Sequence, residues 1–165
     1  MNAALDVHYT ANTAAVACVG FRGWEDGRPV RSELHRLPVP ERYVPGRFFL
    51  RELPCLLHAL QRAPDRFRIL LIDGFVHLKP PLEKGLGAHL AGALRYPAAV
   101  IGVAKNPFPM ADRFVPVFRG RSRRPLFVSS VNLPLDRAVR AVQAMHGEHR
   151  IPTMLRIADR LSRET

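Results

Sequence analysis

Acid is scarce in this chain. Only 14 Asp and Glu residues stand against 25 Lys and Arg, for a formal net charge of +11. The imbalance disfavours cationic partners and points to polyanions: nucleic acid first, then an acidic membrane surface or an acidic protein. Most of the excess is arginine, whose planar fork suits phosphate and carboxylate. Cysteine is nearly absent. Cys18 and Cys55 are the only two, both in apolar surroundings and neither in a CxxC pair, which argues against structural zinc and a disulfide framework. Apolar runs of membrane-spanning length are missing as well. The opening "MNAALDVHYT" lacks a basic region followed by a long apolar stretch, so it does not read as a signal peptide. A cytoplasmic protein with no membrane partner is expected.

What is present suffices for a folded core. Hydrophobic residues make up 47% of 165 residues, a length that fits one domain over 1–165. "ALDVHYT" alternates, with Leu5, Val7 and Tyr9 on one face and Asp6 on the other. "TAAVACVGFRGW", a turn at Asp26-Gly27 and "PVRSELHRLPV" complete a meander of three strands. A proline-punctuated loop, "PVPERYVPGR", follows. The period then becomes helical: Phe49, Leu53, Leu56, Leu57 and Leu60 form a stripe, with Pro54 marking a kink or a late start. "FRILLID" reads as a buried strand, "EKGLGAHLAGALR" as a helix and "AAVIGVAK" as a strand. The basic loop "FRGRSRRP", the strand "LFVSSV" and two closing helices complete the chain. A meander followed by alternating helix and strand predicts an α/β domain with a mixed sheet.

Three of the few acids stand where acid is unexpected. Asp6 lies within the first strand. Asp73 ends the apolar run "RILLIDG", at the sheet edge where open α/β sheets bind ligands. Glu52 is the only acid of its helix and, at about 100° per residue, sits roughly 80° from the centre of the leucine stripe. Carboxylates converging from two strands and a helix repel one another unless a cation sits between them, and oxygen-only ligands suit Mg²⁺, with Mn²⁺ as the alternative. Such an ion activates water and stabilises charge on a phosphodiester. The plainer reading makes Asp73-Gly74 a turn and Glu52 a solvated side chain.

These residues belong to a series that resembles the endonuclease V family. "LDVHY" is similar to its first-strand Asp motif, "YVPGRFFLRE" to "PYIPG…RE", and "LLIDG" to "VDG". "GLGAHL" resembles "GLASHL", "IGVAKNPF" resembles "GVAKS", "PLFVSS" resembles "PLYVSPG", and "RIPTMLRIADRL" resembles "P-TR-AD". Each piece alone is unspecific, but seven in order with compatible spacing are specific. The resemblance implies an RNase H-like fold and metal-dependent hydrolysis of DNA or RNA near deaminated adenine (inosine), leaving a 3′-hydroxyl and a 5′-phosphate. It makes Asp6 and Asp73 metal ligands, puts Glu52 on the metal directly or through water, and sets Lys105 near the scissile phosphate. Tyr43 matches the aromatic wedge that fills the gap left by an extruded base. Gly74 and Phe75 border the pocket for that base.

The chain departs from the family pattern in two places, as a divergent bacterial branch would. The glycine two residues after "DG" is Val76, whose β-branched bulk in the pocket wall predicts weak inosine preference. The histidine expected in "SPGH" has no counterpart in "SSVN", leaving Asn132 nearest and His77 as the candidate substitute. Asn132 accepts hydrogen bonds but cannot shuttle a proton. Arg119, Arg121, Arg123 and Arg124 form either a solvated surface or a phosphate-contacting patch with salt-dependent, sequence-blind affinity. The reading is a monomeric Mg²⁺-dependent endonuclease; the alternative is a nucleic-acid-binding protein of the same fold with weak or lost catalysis.

Overall fold

The computed structural model describes residues 1–39 and 47–164. Tyr43 lies outside the described residues. The three-strand meander is present as β1 (Asn2–Tyr9), β2 (Thr13–Phe21) and β3 (Arg31–Pro38). After it come α1 (Phe48–Arg62), β4 (Ile69–Ile72), β5 (His77–Leu78), α2 (Leu86–Ala93), β6 (Ala99–Ala104) and β7 (Ala111–Asp112). The remainder is β8 (Val115–Val117), β9 (Leu126–Val131), α3 (Leu135–Ala144) and α4 (Thr153–Ser162). Seven strands make one sheet in the order β3-β2-β1-β4-β6-β9-β8, and β5 pairs with β7 apart from it. β4 is parallel to both β1 and β6, whereas β2, β3, β8 and β9 join antiparallel. The sheet is therefore mixed, as the pattern of elements predicts.

Strand alternation sorts the core into two layers. Leu5, Val16, Leu70, Ile72 and Val100 face α1 and α2, where Cys55, Leu56, Ala59 and Leu90 meet them. Ala4, Ala17, Val19, Leu71, Ile101 and Val128 face the other way, onto Ala138 and Val142 of α3 and Met154, Leu155 and Ala158 of α4. The period of two thus puts Asp6 on the α4 side and Glu52 on the α1 side of the same sheet. Pro54 lies inside α1, six residues past its first residue, so a late helix start is ruled out. The short strands β5, β7 and β8 were not legible in the sequence; β7 and β8 hold two and three residues, too few for a period to show. No helix among the described residues is long and apolar enough to cross a membrane.

Why an Asp-Gly ends the central strand has a steric answer. Leaving β4, the chain turns over β6 with Gly74 at φ +151°, and the Gly74 carbonyl lies against Gly102. A Cβ on Gly102 would stand 2.3 Å from that oxygen. The turn needs both glycines, and it leaves the Asp73 side chain at the carboxyl edge of the sheet.

Candidate active site

β1 and β4 run parallel in a register that pairs Leu5 with Ile72, so Asp6 and Asp73 follow side by side on neighbouring strands. Lys105 directly follows β6, the next strand across. Its ammonium lies 3.0 Å from Asp73 Oδ2 and 3.3 Å from Asp159 Oδ1 of α4. Ser162, one helical turn beyond Asp159, donates its hydroxyl to Asp6 Oδ2 at 2.6 Å. Glu52 enters from α1 and is 7% exposed. Four elements of the sheet and its two faces thus bring acids to one region, and two of those acids, Asp73 and Asp159, contact one ammonium.

The electrostatics show how crowded that group is. Burial raises the Asp6 carboxyl above its ordinary range, with the Asp159 and Asp73 charges adding to it and the Ser162 hydroxyl and Lys105 opposing. Burial pushes Glu52 up to about 8, against a hydrogen bond from Tyr9 and with the charges of Asp6 and Asp73. Lys105 also pays a burial penalty, but Asp73, Asp6 and Asp159 outweigh it and hold the ammonium charged. Asp159 stays below the ordinary carboxylate range despite burial, because Arg163 (3.2 Å) and Lys105 both bind it.

Beside the acids opens a hollow of about 390 Å³. Leu5, Phe49, Leu56, Phe75, Leu78 and Leu86 give it apolar walls, and Gly74 and Gly85 contribute backbone. Phe75 forms its end in a cluster with Phe114 and Phe127, at centroid distances of 5.6 and 6.2 Å. The rings of Phe48 and Phe108 also line it and are partly exposed. A hollow of this size with one charged wall suits a flat, mostly apolar group carried on a phosphate chain.

The residues singled out from sequence divide cleanly. Asp6, Glu52, Asp73, Lys105, Gly74 and Phe75 all line this hollow. Arg121, Arg123 and Arg124 are exposed on the β8–β9 connection, and Arg124 reaches Asn106 Oδ1 at 3.1 Å on the rim of the hollow. Arg119 corrects the expectation of a phosphate contact. It is 7% exposed, and its guanidinium turns inward to donate to the carbonyls of Met145, Gly147, His149 and Arg150.

Asn132 and His77 are corrected as well. β9 runs antiparallel to β6, which carries Asn132 to the opposite end of the sheet, where its amide donates to the Ala98 carbonyl. His77 lies against β9, Nε2 3.2 Å from the Ser130 carbonyl oxygen, and is not among the residues lining the hollow. Val76 does not narrow the hollow either: it is fully buried, and its side chain packs against Gly87. His89 is stacked on Phe49 at 3.7 Å, a packing role.

Sequence reasoning missed Asp159 and Ser162. The signal was available: "RIAD" closes the last of the matching segments, and Leu155, Ala158 and Ser162 mark the buried face of α4 that Asp159 borders.

As placed, no three His, Cys, Asp or Glu side chains among the described residues are grouped to hold a metal ion. Lys105 instead lies between Asp73 and Asp159. The donor chemistry nevertheless fits a hard cation. Asp6, Glu52, Asp73 and Asp159 offer only oxygen, and burial, with the neighbouring carboxylates adding to it, drives Asp6 and Glu52 toward their protonated forms.

A mixed sheet of this strand order, with acids at the carboxyl edge of its central strands, is an RNase H-like fold. Residues 1–114 match the family model of Endonuclease V, and the chain belongs to that family. An Endonuclease V of Xanthomonas axonopodis pv. citri is 32% identical over 161 residues, covering 81% of this chain and 64% of the relative, so the chain spans about two thirds of that protein's length. The catalytic domain of human Endonuclease V superposes with a TM-score of 0.78 at 25% identity, over 98% of this chain and 80% of that one. A Ciona intestinalis Endonuclease V, solved in complex with a 24mer DNA containing an inosine followed by a ribo-adenosine, shares the fold at TM-score 0.80 and 18% identity, over 98% and 83%.

Proposed function

We propose that this chain is a metal-dependent endonuclease that hydrolyses phosphodiester bonds in DNA or RNA near inosine. The observation that carries it is that Asp6, Glu52, Asp73 and Lys105 line one apolar hollow, with Asp159 held against Lys105. Acids beside an ammonium suit attack at phosphorus, and the hollow beside them suits a base turned out of its strand. The Ciona relative's complex with inosine-containing DNA supports the choice of base.

Asp6, Glu52, Asp73 and Asp159 would hold Mg²⁺ or Mn²⁺. Such an ion supplies acidity to a bound water and positive charge to the phosphate. Glu52, whose proton is held up to about 8 by burial, gives it up when positive charge enters the site. Lys105 keeps its ammonium charged and donates to a non-bridging phosphate oxygen, so charge developing on phosphorus meets a fixed donor. Phe75, Leu5 and Leu86 exclude water around the extruded base. Water adds to phosphorus, the P–O3′ bond breaks, and the products are a 3′-hydroxyl and a 5′-phosphate. Arg121, Arg123 and Arg124 hold flanking phosphates without reading sequence.

The test is single-turnover cleavage of labelled DNA and RNA strands with and without one inosine, in Mg²⁺ and in EDTA. Metal-dependent cutting that favours inosine is expected. Asp73→Asn should abolish it while strand binding persists. Binding without cutting in the parent protein would leave the binding-only reading in possession, and cutting that survives in EDTA would remove the metal.

A further inference from the structure

The active site is assembled from two pieces that meet without a covalent link nearby. The sheet contributes Asp6, Asp73 and Lys105, and α4 contributes Asp159 and Ser162. Their alignment has to be held for Lys105 to span Asp73 at 3.0 Å and Asp159 at 3.3 Å. One side chain does this from just ahead of α4. Arg150, two residues before the N-cap Pro152, extends its guanidinium back to the sheet. Its Nη2 donates to the Lys105 carbonyl and, at 2.9 Å, to the Pro125 carbonyl, while Nε lies 3.3 Å from the same Pro125 oxygen.

The position of those two carbonyls explains why an arginine is needed. The β6–β9 ladder ends with Ala104 opposite Phe127. Lys105 and Pro125 lie just past that end, and Pro125 has no N–H with which to continue it. A planar fork answers both carbonyls at once, whereas an ammonium has no such fixed geometry. Arg150 is itself held. The buried Arg119 guanidinium donates to the carbonyls of His149 (2.8 Å) and Arg150 (3.4 Å), so the segment entering α4 is anchored from the β8–β9 connection.

We infer that Arg150 is a positioning residue for Lys105: it clamps the Lys105 backbone to the entry of α4 and so sets the ammonium between Asp73 and Asp159. The inference rests on the endonuclease reading above for what Lys105 does, but the clamp itself does not depend on it. Arg150 does not touch the reacting atoms. Its effect passes through the direction of one neighbouring side chain, the Lys105 ammonium.

The experiment compares the full chain with Arg150→Met, Arg150→Lys, Lys105→Met and the Arg150→Met/Lys105→Met double variant. Single-turnover cleavage of an inosine-containing strand is measured in Mg²⁺, strand affinity in EDTA, and amide hydrogen exchange in both. Arg150→Met should slow cleavage about 10–100-fold, the range for a small misplacement of a reacting group, with affinity changed less than about threefold. Arg150→Lys keeps the charge but loses the fork, and should recover only part of the rate. In the Lys105→Met background the further loss should shrink to less than about twofold, because both changes act through one ammonium. Exchange at the amides of Asn106 and Leu126, beside the clamped carbonyls, should quicken in both Arg150 variants. Losses that multiply in the double variant, full recovery by lysine, or parent-like exchange would each overturn the inference. If the parent protein cuts no strand, the endonuclease reading falls, and exchange in Arg150→Lys alone still decides the clamp.

Discussion

Replacing Glu52 with Gln should make the metal-free protein more stable, and only where pH is high enough. Glu52 is 7% exposed, and burial lifts its carboxyl from 4.5 to about 8. A group whose proton is held more tightly in the folded chain stabilises it fully below the unfolded value and loses that contribution as pH rises through the folded value. Between about pH 4.5 and 8, folding therefore costs progressively more with Glu52 present. At about 1.4 kcal/mol per pH unit the loss is capped near 5 kcal/mol, and water entry into the site brings a realistic figure to about 2–4 kcal/mol. Gln cannot ionise, so the loss disappears with it. In EDTA, Glu52→Gln should melt at about the parent temperature near pH 5. By pH 8 it should melt roughly 4–16 °C above it, taking about 2–4 °C per kcal/mol for a chain of this size. Mg²⁺ should then reverse the order, stabilising the parent and not the variant, and the variant should not cut. Thermal melts in paired buffers, with and without Mg²⁺, supply the measurement. A gap between variant and parent that stays constant with pH would refute the reasoning, because it would locate the effect in packing rather than in a held proton.

Three further outcomes follow from the same contacts. Arg119→Met removes the donor to four carbonyls and should cost about 3 kcal/mol, seen as a melting point lower by roughly 6–12 °C, with strand affinity per folded molecule unchanged. A change of affinity without a change of melting point would return Arg119 to the nucleic-acid surface. Neutralising Arg121, Arg123 and Arg124 together should weaken binding to all strands alike and flatten the salt dependence by about three phosphate contacts; a parental slope would make the patch a solvated surface. Ser162→Ala removes the donor that opposes the upward displacement of Asp6, so the acid limb of the cleavage profile should move to higher pH. A limb that stays in place would take Asp6 protonation out of the reaction.

The sequence by itself determined what a local period can carry. Alternation in "ALDVHYT" put Asp6 opposite Leu5, and the apolar run before Asp73 marked a central strand whose end lies at the edge where open α/β sheets bind ligands. Helical spacing set Glu52 on the flank of α1, and seven motif matches in order named the family. Tertiary structure decided everything that depends on which way a distant segment returns. Arg119 looked like one more member of a basic run, yet four carbonyls about thirty positions later draw it inward, and their hydrogen bonds offset the desolvation of its guanidinium. Asn132 stood nearest in sequence to the missing histidine, but an antiparallel β9 carries it to the far end of the sheet. Asp159 comes from the last helix onto Lys105, a meeting across 54 residues that no window of sequence contains. Periodicity is a property of neighbours along the chain. A site built from strand ends and a returning helix is a property of the packing between them.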